Sequence, residues 1–128
     1  MTLRWVLALS VLVSAAVHLW LWFDGYRDIE LIGPLFMLNA VAGLLIAVAV
    51  LVWRHWLPVL AATGFGAATL LAFLLSATVG LGPIQMQVLR TWEIVAGLSE
   101  IVSVVVGLLL LARSLQRHPR PARQGTRA

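Results

Sequence analysis

Residues 5–23 read WVLALSVLVSAAVHLWLWF, a run with no charged side chain. As an α-helix rising 1.5 Å per residue it is about 28 Å long, close to the thickness of a bilayer's hydrocarbon core. Arg4 stands just before it and Asp24 just after. A secretory signal peptide is the competing reading, but the apolar run is too long and no small-residue cleavage site follows. Instead the run ends in Trp20, Leu21, Trp22 and Phe23, the residue types of an interfacial anchor.

Outward from this run the same pattern recurs three times. Asp24–Glu30 is a polar loop, and Gly33-Pro34 opens a second span over 34–53, proline being tolerated in a first helical turn. Arg54-His55-Trp56 is a short turn. Pro58 lies in the opening turn of a third span, 57–79, which Gly80-Leu81-Gly82-Pro83 breaks. Residues 84–91 form a semi-polar segment suited to the membrane surface, and a fourth span covers 92–112. Composition agrees: AVILMFWYC residues make up 62% of the chain and charged residues 11%. Ordinary globular proteins carry about 45–50% and about 25%. A soluble domain of this size could not hide so much apolar surface. The expected fold class is therefore all-α, an up-down-up-down bundle of four transmembrane helices. Residues 113–128 have a Pro, Arg, Gln and Gly composition that cannot bury a core, which predicts a disordered basic tail.

The nine basic residues are all arginine, and Arg113, Arg117, Arg120, Arg123 and Arg127 lie in the tail. The high pI is thus a property of the tail and gives no support for nucleic-acid binding. Arg4, Arg54 and the tail arginines fall on one side of the membrane, Arg27 and Arg90 on the other. By the positive-inside rule both termini are expected in the cytoplasm of a cell-membrane protein. Trp5, Trp53 and Trp56 then mark the inner interface, and Trp20, Trp22 and Trp92 the outer one. The absence of cysteine excludes disulfides, thiolate metal sites, Fe–S clusters and cysteine nucleophiles. It also separates the chain from four-helix thiol oxidoreductases of the vitamin K epoxide reductase type.

An ionisable group inside lipid is costly and marks a functional hypothesis by default. His18 lies about 7–8 Å from the external end of the first span, Asn39 at a similar depth in the second, and Glu100 about 12 Å deep in the fourth. Glu93, Ser76 and Thr78 lie nearer that interface. The inner half offers only Ser10, Ser14, Thr63, Thr69 and Ser103. Helical spacing aligns Ser10, Ser14 and His18 on one face, and Asn39, Gly43 and Ala47 on another. Ala62, Gly66 and Thr69 form a third stripe, and Glu93, Ala96, Glu100, Ser103 and Gly107 a fourth. These small and polar stripes are the expected bundle interior.

The cluster His18, Asn39, Glu93 and Glu100 has a bland reading and sharper ones. The bland one is a hydrogen-bonded clasp in which a neutral Glu100 bonds His18, Asn39 or a backbone carbonyl. A zinc site from His18, Glu93 and Glu100 has suitable donors but no motif, and no metal or cofactor is expected. Haem is disfavoured because His55 lies at the opposite interface and His118 in the tail. The acidic spacing Asp24, Asp28 and Glu30 lacks a calcium loop, so a solvated loop with Arg27 paired locally is expected. The tail arginines suit anionic lipid headgroups, or serve only to enforce topology.

The stretches HLWLWFDGY (18–26) and IGPLFMLN (32–39) resemble small four-span integral membrane proteins of high-GC actinobacteria to which no function is assigned. That resemblance covers the spans and implies no chemistry. Small multidrug transporters also have four spans, but their essential glutamate lies in the first helix, where this chain has His18 and no acid. DoxX-like four-span proteins are a looser comparison without a shared motif. Three function classes follow: a non-enzymatic ligand-binding or accessory subunit in the lipid bilayer, partnered by a larger membrane complex or a second copy of itself; a small proton-coupled transporter; and a membrane enzyme acting on lipid or quinone. The first is expected, and no catalytic residue is assigned.

Overall fold

The computed structural model describes residues 2–80 and 91–117. Four helices follow in order, α1 Thr2–Phe23, α2 Ile32–Val52, α3 Trp56–Thr78 and α4 Thr91–Gln116, with a single 3-10 turn at Tyr26–Asp28. Among the described residues there is no β-strand. All four helices are long and apolar enough to cross a membrane. The fold is an all-α four-helix bundle.

Helix ends fall close to those expected, with one difference. α4 continues through Arg113-Ser114-Leu115-Gln116, residues assigned from sequence to the tail. Polar residues end an apolar span without ending a helix, and Arg113 in the last turn complements the helix dipole. Segments 81–90 and 118–128 lie outside the described residues. They hold the expected Gly-Pro break, the surface segment and most of the tail.

Short connections make α1, α2 and α3 successive antiparallel neighbours. The start of α1, the junction of α2 with α3 and the end of α4 therefore share one end of the bundle, the terminal end. The other, the loop end, carries residues 24–31. Helix α1 packs extensively on α2 and α4, and α3 on α4, whereas α2 and α3 touch much less. The bundle thus has one loosely closed seam.

The terminal half is filled by Leu7, Ala8, Val11, Ala47, Val50, Val59, Ala62 and Val106. A smaller cluster of Val17, Leu21 and Ala96 sits in the loop half, with Tyr26 and Phe36 against it. Large apolar side chains such as Leu9, Leu38, Leu45, Leu71, Leu98 and Leu108 are exposed, while Ser10, Ser14, Asn39, Thr63, Glu93, Ser99, Glu100 and Ser103 are buried. Apolar outside and polar inside is the arrangement a lipid solvent requires. Close approach depends on small residues. A Cβ on Gly66 would lie 2.8 Å from the Ser103 Cβ and 3.1 Å from the Glu100 carbonyl oxygen, and one on Gly107 would strike Thr63.

Arg4 ties the terminal end together. Its Nε donates to the Val50 carbonyl at 3.0 Å, and its Nη2 to those of Trp53 at 2.9 Å and His55 at 3.1 Å. A cation on the last carbonyls of a helix satisfies acceptors that have no intrahelical donor and complements the dipole. At the loop end, a Cβ on Gly33 would collide with the Arg27 backbone. Glycine there lets the 3-10 turn lie directly against the start of α2. Arg27 pairs with its neighbour Asp28 at 3.6 Å, both exposed, as the local pairing expected of a solvated loop.

Candidate functional site

The four stripes read from the sequence converge on the bundle interior. Ser10 and Ser14 from α1, Asn39, Gly43 and Ala47 from α2, Ala62 and Gly66 from α3 and the full α4 stripe are buried. His18 and Thr69 are half-buried. In the loop half these faces do not close on one another. They surround a cavity of about 390 Å³, within the roughly 300–1,000 Å³ range of small-molecule sites.

His18, Asn39, Glu93 and Glu100 all line this cavity. Its remaining wall is mostly apolar and comes from both sides of the loose seam: Leu35, Phe36 and Ala42 on α2, and Phe65, Ala68, Ala72 and Phe73 on α3. The polar groups thus come mainly from α1, α4 and one position of α2. The seam between α2 and α3 supplies a greasy flank.

The hydrogen bonding differs from the clasp expected in sequence. Glu100 does not bond His18; Ser14 stands between them. The Ser14 hydroxyl donates to Glu100 Oε1 at 3.2 Å, and the Ser14 backbone carbonyl lies 2.8 Å from His18 Nδ1. A carbonyl only accepts, so Nδ1 carries the proton and Nε2 of the neutral ring is left as an acceptor. The His18 ring meets Phe36 edge-on at 4.9 Å, and Phe36 stacks on Tyr26 at 4.9 Å.

Glu100 is 1% exposed and Asn39 8%. Among the described residues neither Glu100 Oε2 nor Asn39 Oδ1 has a hydrogen-bond partner. Buried polar atoms without partners are rare and each calls for an explanation. Thr69 lies beside the Glu100 carboxyl, but its hydroxyl proton is already donated to the Phe65 carbonyl at 2.7 Å.

Glu93 sits in the first turn of α4, where the helix dipole favours an acid, and accepts from the Tyr26 hydroxyl at 3.2 Å. This bond ties the 3-10 turn to α4 at the wall of the cavity, which both residues line. Tyr26 is the site residue that sequence reasoning missed: its spacing belongs to a loop, and only the tertiary approach of α4 gives it a role. Ser99 is a second omission, buried and donating to the Ala96 carbonyl at 2.7 Å.

Toward the terminal end the polar residues dwindle to one pair. Ser10 and Ser103 hydroxyls are 2.8 Å apart, and each also reaches a carbonyl on its own helix, Leu7 at 2.8 Å and Ser99 at 3.0 Å. Two protons therefore serve three contacts, a closed local network. Beyond it lie Thr63, whose hydroxyl donates to the Val59 carbonyl of its own helix at 2.7 Å, and the apolar terminal core. Among the described residues no group of three His or acidic side chains is placed to hold a metal ion.

Searches against protein-family models, characterised proteins and solved structures give no match to this chain. Its reading rests on the geometry just described.

Proposed function

We propose that this is a non-enzymatic multi-pass protein of the cell membrane that holds a small lipophilic molecule in the cavity between its helices. One observation carries the reading: a cavity of about 390 Å³ with an apolar flank and buried, unpartnered polar atoms in its wall. An apolar body fits against Phe36, Phe65 and Phe73, and a polar head satisfies Glu100 and Asn39. Such a division is typical of small-molecule sites.

The cavity faces the outside in this reading, and both termini are cytoplasmic. Arg4, Arg54, Arg113 and Arg117 at the terminal end support that orientation. The arginines that follow α4 suit anionic headgroups of the inner leaflet. A reporter fused after Ala128 is expected to be active only in the cytoplasm; activity confined to the exterior would invert the topology.

Native mass spectrometry of the detergent-purified protein tests the pocket itself. The wild type should retain one lipophilic molecule per chain, and Ala72→Phe, which fills the cavity, should lose it. Equal occupancy in both would place any bound molecule elsewhere.

A further inference from the structure

We infer that the ligand's head is a protonated amine, so that the cavity is a site for a lipophilic ammonium compound. This rests on the reading of the cavity as a binding pocket and names the chemistry it selects.

Three residues from three different helices line the one cavity, and each carries a hydrogen-bond acceptor. The acceptors are His18 Nε2 on α1, left as acceptor because Nδ1 donates to the Ser14 carbonyl at 2.8 Å, Asn39 Oδ1 on α2, and Glu100 Oε2 on α4. The last two are buried and unpartnered among the described residues. Three neighbouring hydroxyls are committed, Ser14 to Glu100 Oε1 at 3.2 Å, Thr69 to Phe65 at 2.7 Å and Tyr26 to Glu93 at 3.2 Å, while the Ser76 hydroxyl and the Asn39 amide of the wall can still donate. The buried atoms left without a partner, Asn39 Oδ1 and Glu100 Oε2, are thus both acceptors. A primary ammonium brings three N–H donors and no acceptor.

Charge points the same way. Two carboxyl side chains, Glu93 and Glu100, line the cavity, and none of the described lining residues is Lys or Arg. A buried carboxylate needs a paired cation. The ring faces of Phe36, Tyr26, Phe65 and Phe73 add electron-rich surface of the kind that attracts cations. A neutral alcohol would satisfy one acceptor and leave the carboxyl uncompensated. A quaternary ammonium would supply charge without a donor. An anion would meet two acids. The apolar remainder of the ligand lies along α2 and α3 and leaves through their loosely packed seam into the acyl chains.

The test uses the full-length protein in nanodiscs of zwitterionic lipid, with decylamine, decanol and decyltrimethylammonium as matched probes. Binding is read by native mass spectrometry, with thermal stability of each variant as a folding control. Decylamine should bind one per chain and about tenfold or more tighter than either analogue, reflecting charge-assisted hydrogen bonds that the analogues cannot complete. Glu100→Gln, which keeps the shape and the Ser14 contact, should abolish that preference by bringing decylamine binding down to the level of decanol. Asn39→Leu should weaken decylamine several-fold more than decanol. Equal binding of all three probes, each lost in Ala72→Phe, would overturn the ammonium assignment and leave the pocket standing. Decanol binding as tightly as decylamine would make the head a neutral donor. Binding of none, or binding indifferent to Ala72→Phe, would overturn the pocket reading itself.

Discussion

Glu100 shows how much one buried atom decides. Its Oε1 accepts from Ser14, while Oε2 is buried without a partner in the wall of the cavity. Glu100→Gln preserves an oxygen for Ser14 and the side-chain volume, so the unfolding midpoint in mixed micelles should move little. Glu100→Ala removes the acceptor from a fully buried Ser14 hydroxyl and should cost about 1–3 kcal/mol. Equal losses for both would show that the carboxyl's charge, and not its oxygen, holds the helices. The depth of His18, Asn39, Glu93 and Glu100 could be counted along each span, because helical rise is fixed. That Ser14 would mediate between His18 and Glu100 could not. It depends on the rotation of α1 against α4, which polar residues of similar spacing do not determine.

At the scale of elements, α3 and α4 meet through glycines whose missing side chains set the interhelical distance. Gly66 and Gly64 make a matched pair. A Cβ on Gly66 meets Ser103 and the Glu100 backbone, whereas one on Gly64 meets nothing within 4 Å. Gly66→Ala should therefore destabilise the bundle by about 1–3 kcal/mol through overpacking, and Gly64→Ala should be neutral or slightly stabilising. Loss of stability in Gly64→Ala instead would move the contact face of α3 by about half a turn. Helix number and the inward stripes were legible because lipid forces apolar residues outward and leaves only small and polar ones to pack. Two element-level features were not. The extension of α4 to Gln116 lay hidden because span and helix end for different reasons. Arg4, readable only as a positive-inside charge, proves to cap α2 through the carbonyls of Val50 and Trp53 and to reach that of His55 at the start of α3; no local pattern announces a partner that far along the chain.

The molecule as a whole is asymmetric along its axis: in one half a largely apolar cavity into whose wall a few buried polar side chains are set, and in the other a core of Leu7, Val11, Val50, Val59 and Val106. Ions cross lipid only where polar groups or water replace their hydration along the full path, and the Ser10–Ser103 pair is too short a ladder for that. Purified protein in liposomes under a pH gradient should pass no protons above the protein-free control. A flux that disappears in Glu100→Gln would identify a transporter. The open seam between α2 and α3 bears on dose rather than on chemistry. A guest arriving sideways is drawn from the bilayer, where each methylene adds about 0.8 kcal/mol of partitioning, so a ten-carbon chain is enriched there by roughly five to six orders of magnitude. Site saturation is then governed by moles of guest per mole of lipid. Empty vesicles added at constant total guest should drain the cavity, while added buffer should leave it nearly full.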